Sequence, residues 1–242
     1  MTSKMDIARG LESTMEARII CGRLTSLDTT EHDIWAGAES AFGTTKLMQR
    51  MAAWESGVLS VVSDSADDDD GGTGARTVRI CGIDATLRTE VEEVVVLNGV
   101  AAVATTTRFV GPPNSVEVET VGSGETNAGN ISVKAPSTAL VAALPVGVGR
   151  APMVRFSVPV DRVAYLMRFW SRSTSVAALF VLYAQHPTRG IRRLCENKFT
   201  ATNETPVLAW RLDPTTSLWM SAAAASTTVY ASGGFDLMLE SV

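Results

Sequence analysis

The chain has 242 residues, a net charge of −5, 45% hydrophobic and 19% charged residues. That balance excludes a disordered polyelectrolyte and a uniformly basic nucleic-acid binder. A folded chain of this length hides roughly 70% of its extended surface, enough for one large β domain or two small ones, and its 27 Val and 26 Thr are β-branched residues that lean towards strand.

Residues 1–30 read as an extended N-terminal arm. Ala8, Leu11, Met15 and Ile19 share one helical face, so a short amphipathic helix is expected that packs on the body or on a neighbouring subunit. The segment carries Lys4, Asp6, Arg9, Glu12, Glu16 and Arg18 without an apolar core, unlike a secretory signal. Deleting it is expected to leave the remaining body, residues 31–242, folded. Leu47, Met48, Met51 and Trp54 also fit helical spacing. Residues 57–62 then form a strand that ends in an acidic turn at 63–74.

Residues 77–81 alternate as a half-buried strand, and 82–85 read as a turn. Glu90 to Leu97 is a strand whose Val94-Val95-Val96 centre should be covered on both faces. Asn98-Gly99 signals a type I′ hairpin, with Val100 to Thr107 as the return strand. Residues 116–120 alternate with one wet face, 122–130 are a loop, and 131–133 are a strand. The Pro- and Gly-bearing stretch 135–152 reads as a connection and a candidate sub-boundary. Strands follow at 156–160, 162–170, 177–185, 191–199, 207–212, 218–222 and 235–239. Short strands at this spacing specify an all-β fold, a β-sandwich or jelly-roll-like body.

The catalytic inventory is thin. His32 lies in a polar stretch, His186 in a turn before Pro187, and both read as surface residues. No nucleophile elbow, HExxH or CxxC occurs, so neither a catalytic nor a metal site is expected, and no cofactor. Asp67-Asp68-Asp69-Asp70 lacks EF-hand spacing; four adjacent carboxylates repel and prefer solvent, so a mobile acidic loop is expected, with weak cation binding as the lesser reading. Cys21, Cys81 and Cys195 are odd in number and widely spaced, which favours a reducing compartment over a disulfide framework. No run of 18 apolar residues supplies a transmembrane helix.

Arginine outnumbers lysine 17 to 4, a bias that suits interfacial contacts because the planar guanidinium makes several hydrogen bonds. Residues 134–200 carry ten basic and two acidic residues, against 11 and 24 in the remainder. Such a split suits association between identical subunits.

The run Gly72-Thr73-Gly74-Ala75-Arg76-Thr77-Val78-Arg79-Ile80-Cys81-Gly82-Ile83-Asp84 resembles a motif of tailed-phage virion structural proteins. Glu93 to Gly99, Thr105 to Phe109, Val121 to Ile131 and the closing Gly234 to Leu239 resemble it too. The resemblance spans roughly residues 55–242. It implies a non-enzymatic capsid decoration or cement protein that stabilises the head shell. The alternative it leaves open is a head-fibre or tail-associated receptor- or carbohydrate-binding module. The implied partner is the major capsid protein; the strand count, the arginine bias and the split charge add self-association as a homotrimer, and the acidic balance and the lack of a long apolar run leave no nucleic acid and no membrane among the expected partners. The implied location is the virion head surface, assembled in the host cytoplasm. Candidate shell- or subunit-contact residues are Leu11, Met15 and Ile19 from the arm and Arg155, Arg168, Arg172, Arg192 and Arg193 from the basic segment.

Overall fold

The computed structural model describes residues 15–35, 55–174, 177–199, 203–226 and 229–242. Those residues hold strands and no helix. The strands are β1 (Met15–Leu27), β2 (His32–Asp33), β3 (Ser56–Ser63), β4 (Ala75–Ile83), β5 (Glu90–Val96), β6 (Val103–Val110), β7 (Ser115–Val121) and β8 (Ile131–Lys134). There follow β9 (Leu140–Leu144), β10 (Arg155–Ser157), β11 (Arg162–Ser173), β12 (Ala178–His186), β13 (Gly190–Phe199), β14 (Asn203–Leu212), β15 (Ser217–Ala224) and β16 (Val229–Ser241). The fold is all-β and antiparallel throughout.

The chain divides into two units. A terminal unit holds the residues up to Ile34 and from Val154 onward, and an inserted unit holds Trp35–Met153. In the terminal unit one sheet runs β1-β16-β11-β14 and the other β10-β15-β12-β13, with β2 added beside β15. The two sheets pack face to face. Gly233 of β16 lies so close to Met220 Sδ of β15 and to Ile34 that a Cβ there would collide. The inserted unit pairs a sheet β6-β3-β8-β9 with a sheet β5-β4-β7. Their inner residues, among them Val61, Val78, Ile80, Val116, Ile131 and Val133, form one fully buried cluster.

Several local expectations give way to this packing. Residues 15–27 form a strand and not a helix: β1 pairs with β16 from Met15↔Glu240 to Leu27↔Val229. Burial there follows a two-residue period, with Ile20 and Leu24 inside and Ile19, Cys21 and Arg23 outside. From residue 15 on, the arm is part of a sheet. Ala8, Leu11, Leu47, Met48, Met51 and Trp54 lie outside the described residues. The expected turn at 82–85 begins two residues later, because Gly82 and Ile83 still belong to β4 and Asp84 Oδ1 accepts from the N–H groups of Thr86 and Leu87.

Val94 and Val96 are 50% and 49% exposed and only Val95 is buried, since β5 is an edge strand with one face to solvent. Gly99 does adopt a left-handed φ of 57°, yet β5 and β6 join different sheets, so Asn98-Gly99 turns a corner and closes no hairpin. The connection 135–152 contains β9, whose five residues are all buried.

Candidate contact surface

Four of the candidate contact residues fall on one face of the β1-β16-β11-β14 sheet. Register explains how. Ile19 of β1 lies opposite Asp236 of β16, and Asp236 lies opposite Arg168 of β11, so residues far apart in sequence occupy one row across three strands. Arg168 Nε donates to Asp236 Oδ2 at 3.0 Å. Met15, two pleats before Ile19, shares its face, and Arg172 of β11 lies opposite Ser232, which in turn opposes Arg23. Ile19 is 64% exposed. Beside it a shallow groove of about 160 Å³ is lined by Ala17, Arg18, Met167, Asp236 and Met238.

Arg192 and Arg193 lie on β13 of the other sheet and, as neighbours, alternate faces. The Arg193 guanidinium stands 5.8 Å from the centre of the Tyr183 ring. Tyr183 stacks on Trp219 at 5.3 Å and 13°. Its hydroxyl donates to Glu31 Oε1 at 2.8 Å, and burial, with Glu31 beside it, pushes the phenol above its usual range. Arg193 also pairs with Glu196 at 2.7 Å.

Arg155 departs from the expectation. It is 3% exposed inside the terminal unit, where Nη2 donates to Ser157 Oγ, which is joined to Ser217 Oγ at 2.6 Å. Burial pushes its guanidinium down to about 9. Enclosed there, it presents no surface to a partner. Leu11 lies outside the described residues.

His32 is likewise buried, not a surface residue. Its Nε2 meets Asp28 Oδ1 at 2.8 Å, and that hydrogen bond, aided by the Thr30 N–H, holds the Asp28 carboxyl below the usual carboxylate range. The neighbouring Asp33 accepts from Ser221 Oγ at 2.7 Å.

The acidic turn holds the polar centre that residue spacing alone does not reveal. Asp68 is fully buried, and the turn is ordered around it. Its Oδ1 accepts from the N–H groups of Ala75 (2.7 Å) and Ala128 (2.8 Å), and its Oδ2 from Ser63 Oγ (2.6 Å) and the Gly129 N–H (2.9 Å). Four donors thus satisfy one carboxylate without a cation, so its lone pairs face hydrogens and not a metal site. The backbone carbonyl of Asp68 accepts from Gly99 N–H, and that of Asp67 from Gly74 N–H, both at 2.8 Å. Gly122 N–H and Gly124 N–H donate to the carbonyls of Gly74 and Thr73 at 2.7 Å. Glycine is required at 74, where a Cβ would strike Asp68 Oδ1 and Ala128. Arg76 Nε donates to the Gly72 carbonyl of the same turn at 3.3 Å.

No known protein family matches the chain, and no curated protein does. Among solved structures, the chain is similar at 11% identity to the structure of infectious bursal disease virus Gx strain, covering 93% of this chain and 71% of that one with a TM-score of 0.25. A crystal structure of the infectious bursal disease virus VP2 subviral particle matches at 11% identity over 95% of this chain and 73% of that one, TM-score 0.23. The Gt strain structure matches at 8% identity over 94% and 72%, TM-score 0.21. Superpositions this loose carry no inference about role.

Proposed function

We propose that this chain is a non-enzymatic structural protein of a phage virion, a capsid decoration or cement protein that binds the head shell and stabilises it. Its partners in this reading are the major capsid protein and two further copies of itself, on the head surface of a particle assembled in the host cytoplasm. The observation that carries the reading is the use to which the motif residues are put. The runs Gly72 to Asp84, Asn98-Gly99 and Val121 to Ile131 converge on Asp68, and their glycines and amides close turns around one buried carboxylate. Residues that resemble a virion protein therefore serve to close the turns of the inserted unit, and a contact face is offered by the terminal unit.

The face that carries Met15, Ile19, Arg168 and Arg172 has the chemistry of such a contact. Exposed aliphatic surface lies beside guanidiniums, one of them already aligned by Asp236. A clamp across shell subunits needs only contact area, and binding to the assembled state stabilises it by mass action. The test compares particles assembled with the wild-type chain, with Ile19→Glu and without the protein. Particles lacking it should release their genome at a lower temperature, and Ile19→Glu should reduce occupancy without unfolding the chain. Equal genome release with and without the protein rejects the stabilising role and favours the fibre or receptor-binding alternative.

A further inference from the structure

At one end of the terminal unit, the β12–β13 hairpin and the β14–β15 connection part to leave a cleft of about 180 Å³. The register decides which side chains reach it. His186 pairs with Gly190 where the hairpin closes, and Arg192 lies opposite Ala184 two positions further in. From the facing sheet, the end of β14 brings Trp210 and Arg211, and the following turn brings Asp213. Three guanidiniums, those of Arg189, Arg192 and Arg211, therefore share one opening with a single carboxylate.

That carboxylate is divided between two of them. Asp213 Oδ2 stands 2.7 Å from Arg189 Nη1 and its Oδ1 stands 3.3 Å from Arg211 Nη1. Arg192 pairs with no carboxylate among the described residues, so the cleft keeps an excess of two positive charges and one uncommitted fork. His186 adds a further donor. Its Nδ1 accepts from the Thr188 N–H at 3.3 Å, which leaves the proton of the neutral ring on Nε2. The rest of the wall is Thr216 and an apolar part supplied by Trp210 with Leu194 and Leu212.

We propose that this cleft binds a carboxylate-bearing sugar, a uronic or sialic acid residue of a surface glycan. Arg192 takes the carboxylate through paired N–H···O bonds, the arrangement its planar fork favours. Asp213 bridges Arg189 and Arg211 through their Nη1 groups, so the remaining N–H groups of both are oriented for ring hydroxyls. Trp210 offers an aromatic face to the C–H side of the pyranose. An aspartate or glutamate from another protein would satisfy Arg192 but leave the indole and leucine wall in water. A neutral sugar would cover the wall and leave the charge excess unanswered. Only a ligand with both parts uses the whole cleft. This proposal goes beyond the structural role above and does not depend on it.

The test is calorimetric titration of the full purified chain at low salt with N-acetylneuraminate and with glucuronate, beside methyl glucoside and sodium acetate. At least one acidic sugar should bind about tenfold tighter than both controls. Arg192→Gln should weaken that binding about tenfold, the loss expected for one charge-assisted contact, while its thermal unfolding stays that of the wild type. Trp210→Phe, which keeps an aromatic face, should weaken it less. The proposal is overturned if acetate or methyl glucoside binds as tightly as the acidic sugars, if Arg192→Gln binds unchanged, or if no heat is seen with either acid.

Discussion

Replacing Asp68 tests whether one carboxylate organises the inserted unit. Two buried backbone N–H groups, those of Ala75 and Gly129, the part-buried N–H of Ala128 and one hydroxyl converge on it at 2.6 to 2.9 Å. Asp68→Ala removes every acceptor at once. A buried donor left without a partner costs about 1–3 kcal/mol, so the two buried amides together should cost about 2–6 kcal/mol. That is a large part of the roughly 5–15 kcal/mol that holds a domain folded. Asp68→Asn keeps the shape but offers one oxygen. If that oxygen serves Ala75 and Ala128, the amide group faces Ser63 and Gly129. The Ser63 hydroxyl can turn round and accept, whereas the Gly129 N–H cannot, so the expected cost is about 2–3 kcal/mol. Urea unfolding reads both values as midpoint shifts at unchanged slope. Amide exchange should show protection lost first at Ala75, Ala128 and Gly129. Two variants that each cost under about 1 kcal/mol, or that cost the same, would refute the carboxylate's organising role.

Gly234→Ala should destabilise the terminal unit by more than about 2 kcal/mol in a thermal melt, because the added Cβ would press on the Ile20 carbonyl of β1 and on the Trp170 ring. Burial alone would raise the Glu93 carboxyl, but the N–H groups of Thr106 and Thr107 outweigh it and hold the carboxyl below its ordinary value of 4.5. Its stabilisation is therefore present above pH 4.5 and lost as pH falls through the lower folded value, so Glu93→Gln should flatten the acid limb of a plot of urea midpoint against pH. Removing residues 1–14 should keep the terminal unit's cooperative transition. Removing 1–30 should abolish it, since Ile20, Leu24 and Leu27 are buried and each contributes about 1.5–3 kcal/mol. Sedimentation at micromolar concentration should give a trimer, and monomer alone would reject self-association.

The strand class was legible because a two-residue period is local: the alternation at 77–81 and 116–120 needs no tertiary knowledge, whereas of the expected strand 156–160 only Phe156 and Ser157 join β10, and Phe156 to Pro159 are all buried. It failed where two apolar residues stand side by side. Ile19 and Ile20 fit either a helical stripe or a strand, and pairing with β16 decided for Ile20 as the buried one. Val94 to Val96 misled for a related reason, since β-branched residues also serve on exposed edge strands. Among four adjacent aspartates nothing in the sequence marks Asp68, because the amides that choose it arrive from up to 61 residues away. The contact residues show the same limit. Their types were readable, but the row Ile19, Asp236, Arg168 exists only through register. Arg155 differs from the exposed arginines only in its surroundings, not in its own sequence context.

The β1–β16 pairing sets an order in time. β1 is complete at Leu27, but its partner begins at Val229, about 200 residues later. At ribosomal rates of about 5–20 residues per second, the first strand waits roughly 10–40 s for its neighbour. All strands of the inserted unit emerge during that wait, so it can close around Asp68 while β1 still shows an unpaired edge. During that interval Ile20, Leu24 and Leu27 stay uncovered, and a second nascent chain on the same message offers an identical edge. Slow translation or a late-stalling ribosome should thus favour clumping through β1, and a chaperone that holds extended apolar segments should relieve it.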